Sequence, residues 1–332
     1  MTAGTTSPIR LPVVLDVDTG VDDAMALLLA ARHPGLDLRA VSCVAGNAAV
    51  EQVVANTLAV LHVAGRDDVP VARGAARPLL EPARAADHVH GMDGLGDLDR
   101  TALDLGPAAR RADPRHAVEL LRDVLLDAAE RAEPVTLVPL APMTNIALLL
   151  RTYPEAARGL RRIVFMGGAA GIGNATASAE FNVWHDPEAA AVVLDACREL
   201  GIKVTMYGLD VFYGVRVSRR QADELAAAAT PSARLAAALV AAQCTAFGTP
   251  DATIGDAGAV CAVIDPDGLS TSRLAVHVEL AGARTRGQTV VDRRTWTGDL
   301  AHDPLGVAPT SVDVGLAVDG ERWGRLWLDA VG

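Results

Sequence analysis

Four carboxylates crowd into eight residues near the N-terminus, Asp16, Asp18, Asp22 and Asp23 in VVLDVDTGVDDAMALLLA, where an apolar run meets a helix pattern. Two carboxylates about 4 Å apart repel by roughly 1 kcal/mol in water and about 4 kcal/mol near a protein surface, so such a group calls for a cation or a proton. Asp16 and Asp18 lie two apart on a strand, hence on one face, and the turn through Gly20 can fold Asp22 or Asp23 back toward them. A single Asp here would be read as a helix cap. Four together point to a metal or catalytic site.

Other segments carry polar groups suited to a small hydroxylated ligand. FMGGAAGIGNATASAEFNVWHDPE presents Asn174, Glu180 and Asn182, whose amides and carboxylate can donate to or accept from vicinal hydroxyls. An ordinary polar loop would explain that segment equally well. In DHVHGMDGLGD, His90 stands beside Asp93 and Asp97 and is a candidate substrate contact or proton donor, against the plain alternative of an exposed loop histidine. A late carboxylate ligand could come from Asp256 in TIGDAGAVCAVIDPD or Asp303 in LAHDPLGVAP. Asp256 is favoured, because the apolar run to Ile264 can form a short helix that holds it rigidly, whereas Pro304 and Pro309 leave little room for one after Asp303.

The elements that must position these groups alternate. Val13 to Val17, Leu36 to Val44, Val69 to Ala72, Val135 to Leu140, Arg162 to Met166 and Lys203 to Tyr207 read as strands, with Leu274 to Leu280 and Gln288 to Val291 later. Helices are expected over Asp22 to Arg32, Ala48 to Ala64, Pro114 to Arg131, Pro142 to Arg151, Pro187 to Leu200 and Ser218 to Ala246, with the three prolines in first turns. This rhythm predicts an α/β fold with an open, mostly parallel twisted sheet and helices on both faces, in one domain over 1–332, with residues 1–10 outside its ordered part. Ligands of such sheets bind beyond the carboxyl ends of the strands. The loops after Val17, Val44, Leu140, Met166 and Tyr207 should therefore converge, and they hold the Asp cluster, Asn47, Thr144, Asn145, the Asn174 to Asn182 segment and Asp210. The irregular stretches Gly74 to Pro107 and Gly167 to Asn182 are expected to form the walls of that cleft.

The 332-residue chain has a formal net charge of -11 and no clustered basic stripe, which argues against nucleic acid as a partner. No apolar run is long enough to cross a bilayer, so no membrane association is expected. Cys43, Cys197, Cys244 and Cys261 are scattered in apolar contexts, consistent with reduced thiols in the cytoplasm.

Taken in order, DVDTGVDDA, GNAAVEQVVANT, HGMDGLG, PMTNIAL, MGGAAGIGN, AEFNVWHDPEAA and GDAGAVCAVIDP resemble the nucleoside hydrolase family, the inosine-uridine preferring ribohydrolases. The resemblance implies a bound Ca2+ and hydrolysis of the N-glycosidic bond of small-molecule ribonucleosides by a homodimer or homotetramer. It makes Asp18, Asp23 and Asp256 calcium ligands together with the backbone carbonyl of Leu140, where many relatives have Thr. Asp18 would also serve as general base toward a calcium-bound water. Asp22, Asn47, Asn174, Glu180 and Asn182, with Met166, would hold the ribose, and Asp16 would support the cluster from behind. Oxygen-only ligands agree with a hard cation.

Two departures stand out. Gly255 occupies the place where relatives that handle purines often carry a His that protonates the leaving base, and Phe212 replaces a common Thr. The pair His302 and Asp303 falls too late to supply the missing motif, which leaves His90 as candidate leaving-group acid. Two other readings compete. Strand-Asp16-x-Asp18-Thr19 also resembles the nucleophile loop of haloacid dehalogenase-type phosphatases, which need magnesium and usually a lysine, here only Lys203. A catalytically weak ribonucleoside-binding homologue is the other.

Overall fold

The computed structural model describes residues 10–106, 110–228, 230–295 and 309–332. Its frame is a nine-stranded sheet. In chain order the strands are β1 (Leu11–Val17), β2 (Leu36–Cys43), β3 (Val71–Arg73), β4 (Val135–Pro139), β5 (Leu160–Met166), β6 (Val204–Tyr207), β9 (Leu269–Val278), β10 (Thr289–Asp292) and β11 (Thr310–Val318), while β7 (Arg216–Ser218) and β8 (Asp251–Thr253) pair apart. The order across the large sheet is β10-β9-β11-β6-β5-β4-β1-β2-β3. All neighbours from β3 to β11 run parallel, and β9 and β10 close one edge antiparallel.

The chain order reverses between β1 and β4, the two strands that flank the crevice where an open α/β sheet binds its ligands. Val17 is the last residue of β1 and Pro139 the last of β4, so Asp18 and Leu140 emerge side by side there. The expected fold is thus observed, with the site at the carboxyl ends of the strands.

Helices cover both faces. On one lie α1 (Val21–Arg32), α2 (Val50–Val63), α9 (Arg219–Ala226), α10 (Pro231–Phe247), α11 (Ala257–Ile264) and α12 (Gly320–Val331), and on the other α4 (Ala117–Glu130), α5 (Thr144–Thr152) and α7 (Pro187–Leu200). Short helices α3 (Asp87–His90), α6 (Phe181–His185) and α8 (Leu209–Phe212) occupy the connections. Alternation along β1 sends Val13, Leu15 and Val17 into one core and Val14 into the other.

Several expectations need correction. The segment expected to be one helix from Ser218 to Ala246 starts on the last residue of β7 and holds two helices. Ser218 caps α9, and Thr230 caps α10 by accepting from the Ala233 N–H at 3.1 Å, with Pro231 unable to continue a helix from the preceding turn. Pro187 does open its helix, but α4 starts at Ala117 behind a His116 cap and α5 at Thr144, so Pro114 and Pro142 precede theirs. Strand β9 begins at Leu269, before Leu274, because its first half is polar and exposed. Strand β11 and helix α12 are additional elements; α12 buries Trp323 and Trp327, the latter donating its indole N–H to the Met25 carbonyl at 3.1 Å. Residues 1–9 of the expected disordered start, and the pair His302 and Asp303, lie outside the described residues.

Candidate active site

Beyond β1 the chain turns through Thr19 and Gly20 directly into α1, and the turn is held by the acidic side chains themselves. Asp23 sits in the first turn of α1 and accepts from the Gly20 N–H at 2.9 Å and the Asp18 N–H at 3.2 Å. Asp18 is itself gripped by Asn47, from the loop after β2. The Asn47 backbone N–H donates to Oδ2 at 2.7 Å, and its side-chain amide donates to Oδ1 at 3.1 Å and to Asp23 at 3.2 Å. Asp16, Asp18 and Asp23 are fully buried.

Behind them Asp16 accepts from the Ser42 hydroxyl at 2.5 Å and the Asn145 amide at 2.8 Å. Asp16 is fully buried and does not line the cavity. Lys203 is exposed just before β6, at the opposite end of the strands. The phosphatase reading has neither residue where it needs them.

Asp256 arrives from the far end of the sequence. The apolar run after it forms α11, with Asp256 at its N-terminal boundary as expected. One oxygen each of Asp22, Asp23 and Asp256 lies within 4.8 Å of the others, and Asp22 Oδ1 is buried without a hydrogen-bond partner. Burial pushes Asp18 and Asp256 well above the usual carboxylate range, and the neighbouring carboxylates push them further; burial raises Asp23 to about 7. An orphaned buried oxygen and an all-oxygen donor set fit a hard cation. The trio the fold gathers contains Asp22, while Asp18 lies beside it with both oxygens engaged by Asn47.

The opposite wall comes from the β5–α6 connection. Glu180 caps α6 and accepts from the backbone N–H groups of Gly168 and Asn182, each at 2.8 Å, and of Val183 at 3.1 Å. Burial raises it to about 7 in spite of these bonds. Asn182 donates to the Leu140 carbonyl at 2.9 Å and contacts the Met166 carbonyl and sulfur, both at 3.3 Å. The Leu140 carbonyl therefore faces the site. Asn174 accepts from the Phe181 N–H at 2.9 Å. From the irregular stretch after β3, His90 accepts the Val21 N–H on Nδ1 at 3.2 Å and lies 3.8 Å from Asp22 Oδ1.

These groups share one cavity of about 670 Å³, within the range of small-molecule sites. Asp22, Asn47, His90, Leu140, Met166, Asn174, Glu180, Asn182 and Asp256 all line it, with Asp18 and Asp23 beneath the floor. The residues not anticipated are on the outer side: Phe181, Trp184, Tyr213 and Phe247, with Arg84, Arg216 and Gln243. The Arg84 guanidinium lies 4.7 Å from the centre of the Trp184 ring, and Arg216 pairs with Asp251 at 3.3 Å. One signal was available: with only eleven aromatic residues in the chain, an aromatic in a polar loop is unusual. Asp186, read as a helix start, caps α7 and also ties down the Leu79 N–H and the Thr144 hydroxyl.

The family described as inosine-uridine preferring nucleoside hydrolase matches residues 13–323. A pyrimidine-specific ribonucleoside hydrolase, RihA of Photobacterium profundum, is 39% identical over 287 residues, 85% of this chain and 89% of its own length. A non-specific ribonucleoside hydrolase, RihC of Klebsiella pneumoniae, is 38% identical over 97% of this chain and 98% of its own. Among solved structures, a purine-preferring ribonucleoside hydrolase from Gardnerella vaginalis superposes with a TM-score of 0.84 at 27% identity, covering 96% of this chain and 98% of that one.

Proposed function

The chain belongs to the inosine-uridine preferring nucleoside hydrolase family, and from that premise we propose that it cleaves the N-glycosidic bond of ribonucleosides with water, releasing ribose and free base, in a Ca2+-dependent reaction. The observation that carries this reading is the clustering of Asp22 with the buried Asp23 and Asp256 beside the Asn47-held Asp18, at the floor of a cavity whose walls suit a sugar.

Asp18, Asp23, Asp256 and the Leu140 carbonyl would hold the calcium. When bound, the ion supplies Lewis acidity and neutralises the acidic floor. Asp18 then acts as the base that takes the proton of the attacking water, its carboxylate aimed by the two Asn47 donors. Asp22, Asn47, Asn174, Glu180 and Asn182, with Met166, grip the ribose, and remote binding of the sugar distorts the ring toward an oxocarbenium-like state. His90, which lines the same cavity, is the candidate acid for the leaving base. Asn182 links the ribose wall to the Leu140 carbonyl, so sugar and metal sites are coupled through one side chain.

The same reading includes residence in the cytoplasm, supported by four buried, unpaired cysteines, and assembly as a homodimer or homotetramer. No helix among the described residues is long and apolar enough to cross a membrane. The test is release of ribose from uridine and inosine by the chain and by Asp18→Asn. Turnover is expected to fall about 10²-fold or more in a folded variant, and unchanged turnover would remove Asp18 from its role.

A further inference from the structure

The outer wall of the cavity is supported from the far edge of the sheet. Arg84, Ala85 and Ala86 line the cavity from a strap of irregular chain, residues 79–86, in the connection after β3. Leu80, Pro82, Ala83, Arg84 and Ala85 are exposed, so little apolar burial holds the middle of the strap in place. Its position depends on polar ties.

Those ties converge on Trp184, His185, Asp186 and Glu188, where α6 gives way to α7. Asp186 accepts the Leu79 N–H at 2.9 Å, and His185 accepts the Arg84 N–H on Nε2 at 3.4 Å. The Arg84 guanidinium lies over the Trp184 ring. Glu188 is joined to the strap through a third segment: Arg286, in the turn between β9 and β10, pairs with Glu188 at 2.6 Å and with Glu81 at 3.4 Å. At the end of the strap the Ala86 N–H donates to the Asn47 carbonyl at 3.0 Å, and Asn47 in turn holds Asp18.

The turn that carries Arg286 is itself tightly tied. Glu279 Oε1 accepts the Ala281 and Gly282 N–H groups at 2.7 and 2.8 Å, and Arg286 donates to the Leu280 carbonyl at 2.7 Å. Gly287, at φ +83°, presses on α6 so closely that a Cβ there would lie 2.7 Å from the Trp184 Cα. The Thr289 hydroxyl donates to the Ala169 carbonyl at 2.7 Å and accepts the Ala169 N–H at 2.8 Å. The β9–β10 hairpin is thus fixed to the start of the β5–α6 connection and to α6 itself, and Arg286 extends that frame to the strap.

Resting on the nucleoside-hydrolase reading, we infer that Arg286 is a positioning residue for the reaction: its ion pairs with Glu188 and Glu81 latch the strap to the α6–α7 joint and so set the outer wall of the cavity. Arg286 does not line the cavity, so it acts on a bound nucleoside through the strap. Without it the strap is docked for a smaller share of the time, and a substrate that needs the docked wall binds more weakly in proportion. The chemical step, once substrate is bound, is unchanged.

The test is Arg286→Ala in the intact chain with calcium, read in two ways. Kinetics on uridine should show KM raised about 10-fold with kcat changed by less than about 3-fold, the split that marks lost binding rather than lost chemistry. Trypsin under native conditions, with fragments identified by mass spectrometry, should cut after Arg84 at least about 10-fold faster, because cleavage tracks the open population. Arg286→Lys keeps the charge and should recover part of both effects. Glu81→Gln frees the strap while leaving the Arg286–Glu188 pair, and it decides the matter by the same two readouts if Arg286→Ala does not fold. Wild-type KM, or a wild-type rate of cutting after Arg84, in the folded variant would overturn the inference. A wild-type chain that releases no ribose would sink the hydrolase reading and the positioning role with it, while the cutting rate would still show whether Arg286 latches the strap.

Discussion

Asn47 donates two hydrogen bonds to Asp18, one from its backbone and one from its side chain, and thereby fixes both oxygens of that carboxylate at the end of β1. The same side-chain amide reaches Asp23, so one residue from the loop after β2 sets the geometry of two acids from the loop after β1. Removing the amide while keeping the backbone bond separates aim from presence. Asn47→Ala should keep its fold and lower kcat by about 10- to 100-fold, the equivalent of one hydrogen bond to a charged group. Steady-state kinetics with thermal unfolding as control checks this; wild-type kcat would show that Asp18 needs no aiming.

Gly255 offers a second test, on stability and metal affinity together. Gly255→Ala should cost roughly 1–2 kcal/mol for a left-handed backbone alone, and its Cβ would also displace Asp22. Gly65 makes the control, since its φ is +72° with nothing within 4 Å of an added Cβ. Both variants should unfold at lower temperature, but only Gly255→Ala, which strains the backbone next to the proposed ligand Asp256, should bind calcium more weakly by titration calorimetry. Equal calcium affinity in the two would mean that the Asp256 site does not depend on the room Gly255 leaves.

The buried carboxylates dictate an unusual pH dependence for the metal-free chain. Burial raises Asp16 from 3.8 to about 7 and Glu180 from 4.5 to about 7. Groups that hold protons more tightly folded than unfolded contribute stability at low pH, and that contribution is lost as pH rises through the folded pKa. The chelated chain should therefore melt at progressively lower temperature from about pH 5 to about pH 8. Calcium should reverse most of that loss, because it favours the charged floor. Melting scans with chelator and with calcium across this range decide it; a chelated chain that gains stability with rising pH would contradict the account.

Much of this was legible in the residues themselves. Strict alternation of apolar runs and helix patterns revealed the parallel sheet, and the Asp16 to Asp23 turn could be placed because β1 is short and ends at Val17. Asp256 was recognisable because an apolar helix follows it. What the sequence hid is long-range or backbone-borne. The grip of Asn47 on Asp18 spans two loops, the closure of position 255 depends on a φ angle, and the aromatic outer wall gathers Trp184, Tyr213 and Phe247 from three separate segments. The split of Ser218 to Ala246 into α9 and α10 was signalled locally by Thr230-Pro231, yet the helix-forming alanines on both sides mask it.

The most direct measurement is ribose release from uridine and inosine by the purified chain, first with calcium, then after thorough chelation, then with calcium restored. Chelation should abolish release and calcium should restore it, with magnesium a poor substitute. Release that survives complete removal of divalent cations would rule out a calcium-dependent reaction.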